Sequence, residues 1–131
     1  MGAARRIIDL YGTEGDDIIR GKRGSDVIGG KNGDDILRGG GGNDFLYGNR
    51  GDDILIGGKG NDVLRGGRGT DIFKPGGGDN VILDFEVGND ILEGSFKQVE
   101  LSSNGDDTLM EHKRGSILFK GLEIAEVETL I

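Results

Sequence analysis

The sequence has no cysteine and no tryptophan, and only one proline and one histidine among its 131 residues. The absence of cysteine excludes disulfides and thiolate metal sites, and one histidine leaves little for an imidazole site. Aromatic residues make up 5% of the chain and hydrophobic residues 34%, so the chain has material for only a thin core. No apolar stretch is long enough for a transmembrane helix or a cleaved signal peptide.

Glycine, in contrast, is abundant, with 28 residues, and it marks a nine-residue period that runs eight times over residues 12–83 without insertion or deletion. The units begin at Gly12, Gly21, Gly30, Gly39, Gly48, Gly57, Gly66 and Pro75. The fourth position is Gly15, Gly24, Gly33, Gly42, Gly51, Gly60, Gly69 and Gly78. The sixth position is Asp17, Asp26, Asp35, Asp44, Asp53, Asp62, Asp71 and Asn80. The eighth is always apolar: Ile19, Ile28, Leu37, Leu46, Leu55, Leu64, Phe73 and Ile82. Such a period indicates that each unit does the same structural task beside its neighbours.

Each unit has the composition of a tight loop followed by a short strand. Glycine at the first and fourth positions permits positive φ and turns main-chain carbonyls to one side, where a hard cation can use them. The sixth-position carboxylate comes beside those carbonyls. The residues that follow it are β-prone but too few for a helix, and the apolar eighth residue must face inward. Two units therefore make one flattened turn of a coil, eighteen residues around.

Loops from units n and n+2 are expected to stack at the same edge of the coil and to pair their sixth-position side chains. The pairs are Asp17 with Asp35, Asp26 with Asp44, Asp35 with Asp53, Asp44 with Asp62, Asp53 with Asp71, and Asp62 with Asn80, whose amide oxygen is a weaker, uncharged ligand. Carboxylates stacked at the strand spacing of roughly 4.8 Å repel one another unless a cation lies between them. Oxygen ligands without cysteine or histidine point to Ca²⁺ rather than zinc, copper or Mg²⁺. Without calcium, a flexible Gly/Asp-rich linker is the better description.

These residues resemble the nonapeptide Gly-Gly-X-Gly-X-Asp-X-aliphatic-X of RTX proteins, the hemolysin-type calcium-binding repeats. The second position departs from the favoured glycine at Thr13, Lys22, Lys31 and Asn49, but it mainly contributes its carbonyl. The resemblance implies an all-β fold, a right-handed parallel β-roll with about six or more Ca²⁺ between adjacent loops. It also implies an extracellular protein of the bacterial type I secretion route, with calcium ions and the type I machinery as partners. Folding would follow exit into a calcium-rich medium, because metal must supply much of the folding free energy of so thin a core.

Residues 1–11 and 84–131 are predicted to cap the roll of residues 12–83, since the ends of a solenoid need covering. Before the roll, residues 5–11 carry apolar side chains in strand phase and place Leu10 inward. After it, residues 84–92 resemble, one residue out of phase, the segment that closes many RTX rolls. Asp84 and Asp90 are candidate terminal calcium ligands in that segment, or else ordinary turn residues.

The C-terminal cap is expected to be antiparallel. Residues 99–101, 108–111 and 116–119 are predicted strands, with hairpin turns at Asn104-Gly105 and Arg114-Gly115. Residues 123–130 suit either a short helix or a strand. The last four, Glu-Thr-Leu-Ile, resemble the acidic-then-hydrophobic ending of type I secretion substrates, and they are equally explained as part of the cap.

The net charge of −8 is unevenly distributed, with −2 on residues 12–83 and −7 on residues 84–131. Six bound calcium ions would take the roll to about +10. Arg20, Arg38 and Lys74 then lie on one outward face, which is either a solvated sheet or a binding face for an anionic, alginate-like polysaccharide. Small RTX modules of mannuronan epimerases, which the chain resembles in size, bind acidic polysaccharide. The chain has no motif for reading nucleic acid and no acid/base constellation, so neither a nucleic-acid partner nor an enzyme is predicted.

Overall fold

The computed structural model describes residues 8–94, 96 and 98–131, and within these ranges it forms thirteen strands and one short helix. The strands are β1 (Ile8–Tyr11), β2 (Ile18–Arg20), β3 (Asp26–Gly29), β4 (Ile36–Gly40), β5 (Phe45–Tyr47), β6 (Ile54–Gly58), β7 (Val63–Arg65), β8 (Ile72–Lys74), β9 (Gly78–Ile82), β10 (Ile91–Leu92), β11 (Glu100–Asn104), β12 (Asp107–His112) and β13 (Gly115–Phe119). The helix is α1 (Ile124–Glu128). Each repeat unit thus contributes one short strand, because the glycine-rich loop before it ends the strand that precedes.

The repeat strands alternate between two sheets, since each nine-residue unit crosses from one side of the coil to the other. One sheet has the order β1-β3-β5-β7-β9-β13-β12-β11 and the other β10-β8-β6-β4-β2. Within the roll, neighbouring strands are parallel and eighteen residues apart, as in Ile36 with Ile54 and Leu46 with Leu64. The predicted parallel β-roll, with two units to a turn, is confirmed.

The eighth-position side chains form the core between the two sheets. Seven of them are fully buried: Ile28, Leu37, Leu46, Leu55, Leu64, Phe73 and Ile82. Ile19 of the first unit is partly buried against this row, and so is Leu10 of β1, which lies opposite Ile28. Alternate side chains of a strand face opposite ways, so one residue per unit is all that the narrow interior receives.

The roll continues for one more strand after the eighth unit. Ile91 and Leu92 of β10 pair with Ile72 and Phe73, nineteen residues earlier instead of eighteen. The one-residue phase shift expected at this point is therefore present. At the other end β1 pairs with β3, and residues 5–7 of the predicted N-terminal strand lie outside the described residues.

The C-terminal segment forms the predicted antiparallel cap. β11 pairs with β12 and β12 with β13, both antiparallel. β13 also pairs in parallel with β9, so the cap extends one sheet of the roll. Phe85 packs against both the roll and the cap, because its ring centroid lies 5.6 Å from that of Phe73 and 5.8 Å from that of Phe119.

The last residues form a helix rather than a strand. Val127 of α1 is fully buried and Leu130 packs against the same core, so the segment has a capping role in the fold. No helix within the described ranges has the length and apolar character to cross a membrane.

Candidate metal centre

The sixth-position side chains stack into two ladders, one on each edge of the roll. In each pair the backbone N–H of the first residue donates to Oδ1 of the residue eighteen positions later, at 2.8–2.9 Å. The pairs are Asp17 with Asp35, Asp26 with Asp44, Asp35 with Asp53, Asp44 with Asp62, Asp53 with Asp71, and Asp62 with Asn80. The structure thus brings together the six pairs that the repeat predicts.

One carboxylate oxygen of most ladder residues is buried without any hydrogen-bond donor. Within the described part of the chain these atoms are Asp26 Oδ1 and Oδ2 of Asp35, Asp44, Asp53, Asp62 and Asp71. All six side chains are at most 1% exposed. A buried acceptor with no donor costs about 1–3 kcal/mol and more when it is charged, so the loops need a positive group at each of these oxygens.

In the third to seventh units the first-position glycine leaves open the space in front of such an oxygen. A Cβ on Gly39 would lie 2.6 Å from Asp44 Oδ2 and 2.7 Å from the carbonyl oxygen of Gly57, eighteen residues later. A Cβ on Gly57 would lie 2.7 Å from Asp62 Oδ2 and 2.6 Å from the carbonyl oxygen of Pro75. Carboxylate and carbonyl oxygens therefore converge on a space that any larger residue would fill.

The fourth-position glycines form a further ladder against one another's carbonyls. In Gly24, Gly33, Gly42, Gly51, Gly60, Gly69 and Gly78 the φ angle lies between 89° and 112°, a region that favours glycine. Gly15 of the first unit does not share it, but a Cβ on Gly33 would lie 2.5 Å from the Gly15 carbonyl oxygen. Close stacking of backbones explains why this position never varies.

The second position also adopts positive φ in the third to eighth units. Lys31 has φ 69° and Asn49 has φ 73°, although neither is glycine. Such a conformation costs a non-glycine residue about 1–2 kcal/mol, so the stack imposes it. In the first two units Thr13 and Lys22 do not adopt it, and their N–H groups instead donate to Oδ2 of Asp17 and Asp26, at 2.6 and 2.8 Å.

Burial raises the pKa of the ladder carboxyls. The pKa of Asp53, Asp62 and Asp71 rises from 3.8 to about 7 and that of Asp44 to about 6, chiefly because the buried charge is desolvated. Backbone hydrogen bonds oppose these increases, and neighbouring ladder carboxylates add to them. Desolvation raises the pKa of Asp35 and of Asp90 in the same direction. A carboxylate with a raised pKa is stabilised either by a bound cation or by a proton.

The two aspartates beyond the repeat use both oxygens within the protein. Asp84 accepts from the N–H groups of Gly66 and Gly67, at 2.9 and 2.7 Å. Asp90 accepts from Asp71 at 3.0 Å and from Glu86 at 2.8 Å. Asp90 thus extends one ladder by a step, whereas a ligand role for either residue stays a prediction.

An outer ladder at the fifth position was not predicted. The N–H groups of Asp34 and Asp52 donate to Oδ1 of Asp16 and Asp34, at 2.7 and 2.8 Å. On the other edge Asn61 donates to Asn43 Oδ1 at 2.8 Å. The recurrence of Asp or Asn one residue before the ladder aspartate was the available signal. These exposed side chains join the loops without needing a metal.

The cap adds a fifth repeat-like segment to the sheet that holds β3, β5, β7 and β9. Gly115 of β13 stacks on Gly78, and Ile117 and Phe119 lie opposite Asn80 and Ile82, as the sixth and eighth positions of a unit would. The segment was missed because it follows an interruption and carries isoleucine where the repeat has aspartate. Fixed spacing from Gly115 to Phe119 was the only signal.

The predicted polyanion face is interrupted. Arg20 and Arg38 lie side by side on β2 and β4, but Ile56 follows them in the row. Lys74 comes next, and its Nζ lies 2.9 Å from a carboxylate oxygen of Glu93. The structure therefore leaves a pair of outward arginines rather than a row of three cations.

Cation binding here would depend on main-chain oxygens. Within the described residues no three histidine, cysteine, aspartate or glutamate side chains gather into one cluster. Each candidate site offers one or two carboxylates, and carbonyls must complete it. Such a donor set suits a hard cation with many oxygen ligands.

Several solved structures are similar to the chain, among them the following two. The solution structure of the AlgE6R3 subunit from the Azotobacter vinelandii mannuronan C5-epimerase is 24% identical, with 97% of this chain and 81% of that chain covered and a TM-score of 0.42. The crystal structure of the extracellular lipase LipA from Serratia marcescens is 16% identical, with 95% and 39% covered and a TM-score of 0.44. No curated protein sequence matches the chain.

The repeat itself matches a family model. The model describes the RTX calcium-binding nonapeptide repeat in four copies, and it matches residues 11–46 and 47–82. These residues are more than half of the chain, and they include all the unpartnered ladder oxygens. The chain therefore belongs to the RTX calcium-binding nonapeptide repeat family, and its roll is a calcium-binding module.

Proposed function

We propose that the chain is a calcium-driven folding module in which Ca²⁺ binds at the six unpartnered aspartate oxygens. The observation that carries the proposal is the set of six buried carboxylate oxygens without donors, spread along both edges of the roll. Each ion would be held by a ladder carboxylate and by carbonyls of its own and the next stacked loop. The ion would supply the positive charge that the loops lack.

The donor set favours calcium over other divalent ions. Carboxylate and carbonyl oxygens suit Ca²⁺, which accepts six to eight ligands in irregular geometry. Mg²⁺ requires near-octahedral geometry and keeps several waters, which these closely stacked loops have little room for. Zinc prefers imidazole nitrogen and thiolate sulfur ligands, and no ladder residue is a histidine or a cysteine.

Calcium binding would be a large part of the stability of the roll. A site at ten times its dissociation constant adds about 1.4 kcal/mol, so six such sites add about 8 kcal/mol. An ordinary domain has a total stability of about 5–15 kcal/mol. The calcium-free chain is therefore expected to be largely disordered.

Circular dichroism tests this proposal. In EGTA the chain should give a coil spectrum, and Ca²⁺ should convert it cooperatively to β, with Mg²⁺ much less effective. The triple variant Asp16→Asn, Asp34→Asn and Asp52→Asn is a matched control, because it removes outer-ladder charges but keeps their acceptor oxygens. It should still fold on calcium addition. A β spectrum that persists after complete chelation would refute the proposal.

We infer that this folding is coupled to secretion. RTX repeats are typical of extracellular secreted proteins, and a calcium-poor cytoplasm would keep the chain unfolded for type I export. Deleting residues 128–131 should block export through a type I transporter. Because the buried Val127 remains, the deletion should shift the calcium midpoint only slightly. Undiminished export would leave these residues with the capping role alone.

We infer a structural rather than a catalytic role for the module. Its buried aspartates are needed for cations, and the sole histidine, His112, has an unpartnered Nε2 and a pKa lowered chiefly by burial. The loaded protein should therefore stabilise or target a protein to which it is joined. A catalytic turnover by the isolated, calcium-loaded chain on a polysaccharide or ester substrate would contradict this inference.

An alternative function, binding of an anionic polysaccharide, is favoured by one observation. Arg20 and Arg38 are exposed register partners on adjacent parallel strands, so two cations lie at inter-strand spacing. A polymer with regularly spaced carboxylates could pair with them. The binding would require calcium to form the sheet.

Retention on an alginate column tests the alternative. The triple change of Arg20, Arg38 and Lys74 to serine should abolish retention, and Arg20→Ser with Arg38→Ser should do nearly as much, because Lys74 already pairs with Glu93. A charge-matched control changes the loop cations Arg23, Lys59 and Arg68 to serine. Retention should weaken with salt, since charges are screened over about 10 Å at 0.1 M. Retention that survives the triple change would leave the face as plain solvated sheet.

A further inference from the structure

The eighth unit carries the one ladder residue that is not an aspartate. Asn80 is 1% exposed, and its Oδ1 accepts the Asp62 N–H at 2.8 Å. In this respect it reproduces the hydrogen bond that every interior aspartate of the ladder makes. The difference lies in the second atom of the side chain, which is a donor instead of an acceptor.

The Asn80 amide nitrogen points into the carbonyls of its own loop. Nδ2 lies 3.3 Å from the carbonyl oxygen of Pro75, 3.4 Å from that of Gly77 and 3.5 Å from that of Gly76. An amide group carries two N–H donors, so it meets these acceptors with positive hydrogen atoms. The cluster therefore lacks the uncompensated negative charge of an aspartate loop.

The loop around Asn80 has the same backbone shape as the interior loops. Gly76 and Gly78 have φ angles of 80° and 91°, and Gly58 and Gly60 of the sixth unit have 87° and 107°. The sixth unit leaves Asp62 Oδ2 without a donor. The sixth and eighth loops thus share one conformation but differ at the centre. The sixth has a negative carboxylate oxygen there, and the eighth has amide N–H groups with positive partial charge.

The next layer above Asn80 supplies no carboxylate. Its register partner is Ile117, which is fully buried. Ile117 lies in the hairpin of β12 and β13. In the turn of this hairpin the Arg114 carbonyl oxygen accepts a hydrogen bond from the Gly78 N–H at 2.9 Å. The Arg114 guanidinium also lies beside this loop. A Cβ built on Gly77 would be 3.8 Å from its Nε and Nη2 atoms.

We propose that the Asn80 amide takes the place of a calcium ion in the eighth loop, so that one edge of the array ends in a metal-free loop to which the cap binds. This inference rests on the proposed function, because it presupposes that the aspartate loops bind calcium. It assigns Asn80 the role of a donor that limits the ion count, instead of the weak oxygen ligand that the sequence predicts. Replacing the amide by a carboxylate turns the same cage into a cation site.

Counting bound calcium tests the proposal. The double variant Asn80→Asp with Arg114→Gln restores the carboxylate and removes the guanidinium that would otherwise pair with it. It should bind one more Ca²⁺ per chain than the wild type by isothermal titration calorimetry. Arg114→Gln alone is the control and should bind the wild-type number. An unchanged count in the double variant overturns the proposal.

Hydrogen exchange on the wild-type protein gives a second measurement that needs no variant. In the calcium-loaded chain the Asn80 side-chain amide protons should exchange many-fold more slowly than those of the exposed Asn43. Exchange of Asn80 as fast as Asn43 overturns the proposal. A wild-type chain that binds no calcium at all instead contradicts the proposed function, so the two failures are distinguishable.

Discussion

The interior loops of the roll, in the third to seventh units, differ from the loops at its ends although the motif is the same. In the interior the second-position residue has positive φ, and Oδ2 of the ladder aspartate has no donor. At the ends the N–H four residues before the ladder aspartate donates to that oxygen, as Thr13 does to Asp17 and Glu86 to Asp90. The end loops thus satisfy this oxygen with a hydrogen bond where the interior loops need a cation. Asp26 does both, because its Oδ2 accepts the Lys22 N–H and its Oδ1 has no donor.

Two lysines show what makes this difference. Lys22 and Lys31 occupy the same position of adjacent units, but only Lys31 adopts positive φ. The third unit stacks on the first, whereas the second unit is the first repeat unit on its own edge. Stacking on an earlier loop, and not the identity of the side chain, therefore imposes the positive φ at the second position. A count of motifs is consequently not a count of metal sites.

Alanine substitutions give the largest effect that separates interior from end. Asp35→Ala and Asp44→Ala should each lower the free energy of unfolding of the calcium-loaded protein by about 3 kcal/mol. One ion at ten times its dissociation constant is worth about 1.4 kcal/mol, and an orphaned N–H costs about 1–3 kcal/mol. Asp17→Ala should cost clearly less, since Asp17 is only partly buried and bonds to Thr13.

Urea denaturation at fixed free calcium measures these differences. Asp34→Ala is the matched control, because it removes a neighbouring carboxylate that is exposed and lies on the outer ladder. It should cost within about 1 kcal/mol, the worth of one hydrogen bond. Equal losses for Asp17→Ala and Asp35→Ala would show that interior and end loops are equivalent.

A pH titration separates the interior ladder from the cap. The pKa of Asp53, Asp62 and Asp71 is raised from 3.8 to about 7 by burial, so protonation stabilises the metal-free roll. That contribution is complete below about pH 4 and is lost as the pH rises through about 7. Hydrogen bonds from Lys120 and a backbone N–H lower the pKa of Asp107 in the cap, so the stability that Asp107 contributes is instead lost in acid.

The expected result is a calcium-free chain that gains β signal as the pH falls from about 7 towards 4. Calcium affinity should fall over the same range, by about tenfold per pH unit for each proton displaced. Circular dichroism and calcium titration at several pH values measure both. A calcium affinity independent of pH across this window would contradict the raised pKa of the ladder.

Substitution by glycine at the second position gives the smallest expected change in the free energy of unfolding. The change has opposite signs in the interior loop of Lys31 and the end loop of Lys22. Lys31→Gly should stabilise the calcium-loaded protein by up to about 1 kcal/mol, because it relieves a left-handed conformation. Lys22→Gly makes the same chemical change where no strain exists, and it should destabilise by about 0.5–1 kcal/mol through backbone entropy. Thermal unfolding at saturating calcium compares the two, and a shift of the same sign in both would refute the distinction.

The sequence predicted those features that an unbroken period determines. Eighteen residues per turn determine the strand register, the inward row from Ile28 to Ile82 and the six stacked pairs, because each follows from arithmetic on one motif. The one-residue phase shift expected over residues 84–92 is likewise present, but the β10 strand that carries Ile91 was not predicted. The predicted features depend on local geometry that every unit repeats.

The remaining features depend on neighbours that the period does not specify. Asp35 Oδ2 has no hydrogen-bond donor, whereas Asp17 Oδ2 accepts the Thr13 N–H. The difference depends on whether the loop stacks on an earlier repeat loop. Ile117 enters the ladder of Asn80 only because the hairpin of the cap folds back in register. The pairing of Lys74 with Glu93 likewise depends on how β10 packs beside β8, which the nine-residue period does not specify.

Anomalous diffraction from crystals grown with calcium tests the central claim most directly. The account predicts peaks beside the six unpartnered ladder oxygens, namely Asp26 Oδ1 and the Oδ2 atoms of Asp35, Asp44, Asp53, Asp62 and Asp71. It predicts no peak in the cage formed by Asn80 and the carbonyls of Pro75, Gly76 and Gly77. Peaks confined to the outer ladder of Asp16, Asp34 and Asp52, or no ordered calcium at all, would contradict it.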